Sequence, residues 1–333
     1  MGSKRALFVL MTAAALTAGS PMTEAQDFEL AMVIKETTNP YYNATLLGAE
    51  MAAAELGGIA KNYGPTQSSA EAQISIINNL GDRRVAAIAV APSDPNAVVP
   101  AMKRAERLGS KVITFDADSG VEGRPFFVNQ ATTQSVGSFG ADKLAEVMGG
   151  RGQVAIVSAQ PTAANQNAWI AAFREEMTKH PDIEIVDEVY GYDNEQKAFD
   201  LTVALTTKYP DLAGIYAPTC PGLPAVARAR ESVDKGKGVI KVAGTCVPSI
   251  TAEYMLDGTI QVFYLWDPIK LGYITYYAAK HFADGTISGK PGDSFTIAEG
   301  NKWPGTYTIG DNGEIVTGEP LQYTEANYQE HKY

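Results

Sequence analysis

The chain has 333 residues, of which 45% are hydrophobic and 20% are charged, and its formal net charge is −11 at pH 7. Nucleic acids and anionic membrane surfaces repel such an acidic chain, so both are poor candidates for partners. One hydrophobic core rarely serves more than about 250–300 residues, so we expect two domains.

The N-terminus has the three parts of a secretory signal. Lys4 and Arg5 precede an apolar run at 6–16, and a Thr-Glu-Ala sequence lies just before Gln26. A membrane-spanning helix needs about 20 apolar residues, and this run is shorter. We therefore expect residues 1–25 to be a signal peptide that is cleaved on export.

The following segment alternates between apolar strands and helices. It predicts strands at 29–34, 59–63, 85–90 and 112–115 and helices at 43–56, 69–80 and 95–108. The strand at 85–90 (VAAIAV) is apolar on both faces, which is typical of a parallel sheet covered by helices on both sides.

The alternation then begins again. It predicts strands at 154–158, 183–190, 212–217 and 240–243 and helices at 164–179, 195–208 and 222–232. Two successive sets indicate an α/β fold with two Rossmann-like lobes and parallel sheets, and the chain should cross between the lobes near 127–132.

Ligands of parallel α/β sheets bind beyond the carboxyl ends of the strands. In the first set, the candidates at these ends are Lys35, Asn39, Tyr41, Tyr42, Asp116 and Asp118. In the second set, they are Asn165, Gln166, Pro218, Thr219, Cys220, Thr245 and Cys246. Amides and carboxylates pair with sugar hydroxyls, and aromatic faces cover C–H surfaces, so this inventory suits a polyhydroxylated ligand.

Each candidate also has a purely structural explanation. Asn39 followed by Pro can cap a helix, and Asn165 and Gln166 can be ordinary first-turn residues. Asp116 and Asp118 can form a turn, or a metal site that would need more oxygen ligands. The joint placement of the candidates at strand ends favours the functional explanation.

Evidence for catalysis is sparse. The histidines His180, His281 and His331 lie outside the strand-end loops. We find no G-x-S-x-G, H-E-x-x-H, P-loop or G-x-G-x-x-G pattern after the first strand, so we expect no enzyme, cofactor or metal. Asp116 and Asp267 could act as a glycosidase pair, which is the enzyme alternative.

Several stretches, in the same order along the chain, resemble periplasmic solute-binding proteins of the ribose-binding type (type I fold). They are 33–42 (VIKETTNPYY), 64–66, 111–118 (KVITFDAD), 129–130, 165–169 (NQNAW), 209–212, 217–219 and 265–272 (LWDPIKLG). Within that family, the chain is most similar to the subgroup that binds rhamnose or a furanosyl quorum-sensing autoinducer. The resemblance implies two lobes joined by a three-segment hinge and a ligand buried between them.

The family's lobes map onto discontinuous ranges. The resemblance implies a first lobe of 26–128 plus 268–284 and a second lobe of 129–266 plus 295–333. Hinge bending should close these lobes around the ligand.

Only some of the family's site residues have a clear counterpart in this chain. The family's aromatic pair matches Tyr41 and Tyr42, and its carboxylate matches Asp116. Its polar hinge position falls on Trp266 or Asp267.

Three further positions bear on the ligand. Lys35 is shared with the autoinducer receptor, whereas the Asn-Gln pair at 165–166 is shared with rhamnose-type proteins. Ala117 replaces the arginine of ribose-type pockets, which argues against ribose. A sugar or sugar alcohol is therefore the expected ligand.

The resemblance implies a function in transport. We expect a periplasmic, monomeric protein that captures a monosaccharide or sugar alcohol and delivers it to the membrane permease of an ABC importer. The alternatives are a receptor for the furanosyl autoinducer and a secreted glycosidase-like enzyme.

The two cysteines of the chain, Cys220 and Cys246, follow strands that one helix separates. A strand–helix–strand crossover usually makes its strands neighbours, and disulfides persist in exported proteins. We therefore expect a disulfide between them. The alternative is two unpaired small residues that line the pocket.

Overall fold

The computed structural model describes residues 28–234, 238–331 and 333. The expected signal peptide at 1–25 lies outside these residues. No helix in the described ranges combines the length and apolar character that crossing a membrane requires.

The first half of the chain builds most of one sheet. Its elements are β1 (Glu29–Val33), α1 (Tyr41–Leu56), β2 (Ile59–Tyr63), α2 (Ala70–Asp82), β3 (Ala87–Val90), α3 (Val99–Arg107), β4 (Lys111–Phe115) and β5 (Phe127–Asn129). All four residues of β3 are buried, because α-helices cover both faces of the sheet.

The second sheet follows the same pattern. Its elements are α4 (Thr133–Met148), β6 (Gly152–Ser158), α5 (Ala164–Met177), β7 (Ile183–Tyr190), α6 (Glu195–Lys208), β8 (Leu212–Ala217), α7 (Gly222–Asp234), β9 (Lys241–Thr245), α8 (Pro248–Leu256) and β10 (Val262–Leu265). Helix α8, a short helix that begins at Pro248, has no counterpart among the predicted helices.

The last part of the chain returns to both sheets. Its elements are α9 (Pro268–Ala283), β11 (Ser294–Ile297), β12 (Gly305–Thr308), β13 (Glu314–Val316), β14 (Leu321–Tyr323) and a 3-10 turn at Tyr328–Glu330. The strand orders are β13-β5-β4-β3-β1-β2 and β14-β10-β9-β8-β6-β7. The predicted α/β fold with two parallel-sheet lobes is confirmed.

Helix α9 packs against α1 of the first lobe at two glycines. A Cβ atom on Gly48 would overlap the carbonyl oxygen of Ile269, and one on Gly272 would overlap that of Thr45. The two helix backbones can approach this closely only because neither glycine has a side chain.

The C-terminal stretch divides between the lobes, which differs from the expectation that 295–333 belongs to the second lobe. Glu314–Val316 pairs in parallel with Phe127–Asn129 of the first sheet, and only Leu321–Tyr323 joins the second sheet. Three-residue strands leave little periodic signal in a sequence, so the sequence pattern does not predict this division. We propose that the first lobe extends through residue 316.

The described chain passes between the two sheets at three places. These crossings lie between β5 and α4, between β10 and α9, and between β13 and β14. Residues that follow strands of both sheets line one cavity, so the carboxyl ends of the two sets of strands face each other.

Candidate ligand-binding site

A cavity of about 50 Å³ lies between the carboxyl ends of the two sets of strands. The lining residues are Lys35, Asn39, Tyr41, Tyr42, Asp116, Asn165, Gln166, Trp169, Asp193, Pro218, Thr219, Cys220, Thr245, Leu265 and Trp266. Among the residues predicted for the site, the structure places only Asp118, Cys246 and Asp267 outside this lining.

Asp116 is the central acid of the first-lobe wall. Its carboxylate accepts a hydrogen bond of 3.1 Å from the hydroxyl of Tyr42, and the residue is 4% exposed. Burial raises the pKa of Asp116, and the positive charge of Lys35 opposes that rise. The backbone of Asp116 has a φ of 61°, a left-handed conformation that non-glycine residues adopt mainly where the surrounding structure requires it.

Aromatic rings form the floor of the cavity. The indole nitrogen of Trp266 donates to the hydroxyl of Tyr41 at 2.9 Å. The ring centroids of Trp169 and Trp266 lie 5.2 Å apart. Such rings cover apolar C–H surface, while the indole nitrogen of Trp266 stays paired with Tyr41.

Direct hydrogen bonds join the two lobes across the cavity. The ammonium of Lys35 donates to the side-chain oxygen of Asn165 at 3.0 Å. At the edge, the hydroxyl of Thr162 donates to the carbonyl of Ser93 at 3.2 Å. The structure therefore shows the lobes in contact, which is a closed arrangement.

Gln166 anchors the start of α5 beside the cavity. Its side-chain oxygen accepts from the hydroxyl of Ser158 at 3.1 Å and from the backbone amide of Ala159 at 2.9 Å. These bonds fix the loop that follows β6, so the side chain of Asn165 points towards the first lobe in a defined position.

Asp193 is a lining residue that the sequence analysis missed. It follows β7, has a left-handed backbone with a φ of 53°, and accepts a hydrogen bond from the hydroxyl of Thr219. Loss of hydration raises the pKa of Asp193, and Thr219 and Lys35 oppose the rise. The strand-end rule that identified the other candidates also applies to the end of β7, but Gly-Tyr-Asp-Asn resembles an ordinary turn.

Two other lining residues were missed. Trp169 lies one helical turn after Asn165 on α5, and Leu265 is the last residue of β10. The i, i+4 spacing from Asn165 was the available signal for Trp169, because such residues share a helix face.

The predicted residues outside the lining have structural roles. Asp118 pairs with Arg124 through two hydrogen bonds, and it also accepts one from the hydroxyl of Thr114. Asp267 caps α9 by accepting a hydrogen bond of 3.0 Å from the backbone amide of Lys270. The glycosidase alternative needs Asp116 and Asp267 in one space, and they do not both line the cavity.

The predicted disulfide between Cys220 and Cys246 is confirmed. The two cysteines follow β8 and β9, which are neighbouring parallel strands. Cys246 is therefore fully buried behind the wall, whereas Cys220 reaches the cavity. Among the described residues, no group of three or more His, Cys, Asp or Glu side chains is arranged to hold a metal ion.

Comparison with known proteins agrees with this architecture. The model of the periplasmic binding protein domain matches residues 30–287. A solute-binding protein of an ABC transporter from Clostridium phytofermentas, with bound L-rhamnose, is 32% identical, with 92% of this chain and 98% of that chain covered and a TM-score of 0.85.

Two further solved structures are similar. A sugar ABC transporter protein from Actinomyces odontolyticus is 36% identical and has a TM-score of 0.72. The match covers 92% of this chain and 98% of that chain. LsrB from Clostridium saccharobutylicum in complex with AI-2 has a TM-score of 0.84, with 92% and 100% of the chains covered. Its identity is 22%, so this likeness concerns the fold.

Proposed function

The chain belongs to the periplasmic binding protein domain family, and on that premise we propose that it captures a neutral monosaccharide or sugar alcohol for an ABC importer. The observation that carries this proposal is the cavity between the two lobes. It combines Asp116 and Asp193 with Lys35, three amide side chains and a floor of aromatic rings.

The polar groups of the cavity suit hydroxyls. A sugar hydroxyl both donates and accepts, so it can bridge a carboxylate such as Asp116 and a donor such as Lys35. Hydrogen bonds to charged groups contribute about 1.5–3 kcal/mol each. The rings of Trp169 and Trp266 are placed to cover the C–H face of the same ligand.

The charge of the cavity favours a neutral ligand. Two acids, Asp116 and Asp193, face one ammonium group on Lys35. A sugar acid or sugar phosphate would bring a further negative charge next to these carboxyl groups, which costs free energy.

We propose that the protein acts by hinge bending, with the permease of an ABC importer as its partner. The three crossings permit rotation of one lobe relative to the other, and bonds such as Lys35 to Asn165 form only when the lobes meet. We further propose that it works in the periplasm as a monomer after export.

A ligand screen tests the proposal. The protein should show raised melting temperatures with neutral sugars, because a ligand that binds only the folded state stabilises it. L-Rhamnose is the first probe, since a protein that is 32% identical binds it. D-Arabinose, D-mannitol, a sugar acid and the furanosyl autoinducer complete the panel.

The outcomes separate the candidate functions. Tight binding of a neutral sugar or polyol in calorimetry supports the proposal, whereas selective binding of the autoinducer would favour the signalling receptor. Hydrolysis of a nitrophenyl glycoside would indicate an enzyme, and failure of the whole panel would contradict sugar capture.

Small-angle scattering tests the closure mechanism. The radius of gyration should fall when a saturating ligand is added, because closure brings the lobes together. Identical profiles with and without the ligand would contradict hinge closure.

A further inference from the structure

We infer that Glu36 binds a proton when the lobes close, so that ligand capture is coupled to proton uptake. This inference rests on the proposed function, because closure around a sugar is the event that would drive it. Glu36 lies in the loop between β1 and α1, next to Lys35 of the ligand cavity but outside the lining of that cavity.

The surroundings of Glu36 do not suit a charged carboxylate. The residue is 3% exposed, and its Oε1 atom is buried with no hydrogen-bond partner among the described residues. The backbone amide of Ser68 favours the charged form, but burial outweighs its effect on the pKa. An ionised oxygen without a donor is costly in a buried position, whereas a neutral acid avoids most of that cost.

The second lobe adds a like charge. Glu36 shares a second interlobe cavity with Asp193, which reaches it from the loop after β7. Glu195 and Lys197 also line this outer cavity, but both are exposed to solvent. The groups that act on Glu36 are therefore Asp193, which opposes its ionisation, and Lys35, which favours it.

Lys35 does not cancel the effect of Asp193. Its ammonium donates to Asn165 across the cleft, and its charge also acts on Asp116 and Asp193. Burial, followed by the repulsion from Asp193, raises the pKa of Glu36 from 4.5 to about 8 in the closed arrangement.

Opening the cleft reverses both causes. We expect Asp193 to move away with the second lobe and the outer cavity to widen around Glu36, so that the pKa falls back towards its ordinary value of 4.5. Because the closed state has the higher pKa, the coupling stabilises it fully below about pH 4.5, and this stabilisation is lost as the pH rises to about 8. Ligand affinity should therefore fall as the pH rises, by at most about tenfold per pH unit in this window.

Calorimetry measures the number of protons taken up when the ligand binds. The sugar that binds best in the panel, with L-rhamnose as the first probe, is titrated at pH 6.5 in buffers of different ionisation enthalpy. The wild type should take up about one proton per ligand bound, because Glu36 changes from mostly charged to mostly neutral.

Two variants test whether Glu36 is the group that binds the proton. Glu36→Gln mimics the neutral acid, so it should abolish the uptake, flatten the pH dependence and bind more tightly than the wild type at pH 8. Glu195→Gln is the control, because this exposed acid lines the same outer cavity and pairs with Arg228 on the surface. It should keep the uptake.

The outcomes distinguish this inference from the proposed function. Sugar binding without proton uptake by the wild type, which needs no variant, overturns the inference alone. Uptake that persists in Glu36→Gln also overturns it and points to Asp193. If no sugar of the panel binds, the proposed function fails and this inference fails with it.

Discussion

The two walls of the ligand cavity are held in place by different means. In the first lobe, the carboxylate of Asp116 accepts a hydrogen bond from the side chain of Tyr42. In the second lobe, Gln166 is bonded to the backbone of the preceding loop, and a disulfide joins Cys220 to Cys246. The carboxylate of Asp116 can therefore exchange its side-chain partner for a ligand hydroxyl, whereas the bonds of Gln166 and the disulfide exist without the ligand.

This difference separates two kinds of free energy. Changes in the second wall should mainly lower the free energy of unfolding, because its bonds exist without ligand. Changes in the first wall should mainly lower ligand affinity, because a bound hydroxyl becomes a partner of its charged groups.

The largest expected effect is the loss of the disulfide. Replacing both Cys220 and Cys246, which are 26 residues apart, by alanine should lower the free energy of unfolding by about 3–4 kcal/mol through the entropy of the freed loop. Urea denaturation measures this loss. Alkylation of the unreduced, denatured wild type is the control, and two added labels there would contradict the bond.

Asp116 tests the first wall. Asp116→Asn should weaken ligand binding by about tenfold or more, because replacing a charged acceptor costs about 1.5–3 kcal/mol. Asparagine tolerates the left-handed backbone at this position, so the fold should persist, whereas Asp116→Ala adds backbone strain.

Calorimetry measures the affinity of the Asp116 variants. The control is Asp211→Asn, which removes an exposed acid outside the cavity and should bind like the wild type. Unchanged affinity of Asp116→Asn would mean that this carboxylate does not hold the ligand.

A change at Gln166 tests whether the bonds of the second wall stabilise the fold without ligand. Gln166→Leu leaves the hydroxyl of Ser158 and the amide of Ala159 without their acceptor, so the free energy of unfolding should fall by about 1–3 kcal/mol. Thermal unfolding without ligand measures it. A variant that loses affinity but no stability would show that the second wall is not fixed beforehand.

The smallest expected effect is at Trp266. Trp266→Phe keeps an aromatic ring but removes the donor to Tyr41, so affinity should fall by about 0.5–1.5 kcal/mol. Trp303→Phe makes the same change outside the cavity and serves as the control. A larger loss for the Trp303 variant would contradict the assignment of the aromatic floor.

Strong local patterns explain what the sequence predicted well. Strands such as β3 are buried on both faces and bounded by helices, so both the strand and its polar carboxyl end were recognisable. The disulfide followed from the strand–helix–strand pattern, because such a crossover usually makes its two strands neighbours, as β8 and β9 are.

The parts that were missed depend on long-range contacts. Asp193 follows β7, the edge strand of the second sheet, and its Gly-Tyr-Asp-Asn sequence resembles an ordinary turn although the residue lines the cavity. Asp118 has the same residue type and strand-end position as Asp116, but Arg124 pairs with it. The course of β13 into the first sheet likewise depends on its partner β5 rather than on its own three residues.

The return of α9 to the first lobe has a consequence for how the protein is made. The buried seam between α1 and α9 cannot form until Gly272 has been synthesised, more than two hundred residues after Gly48. Contacts that join such distant positions slow folding, because a long loop must close before they form. A nascent chain that ends before α9 therefore leaves its first lobe unfinished, and both lobes are completed only near the end of translation.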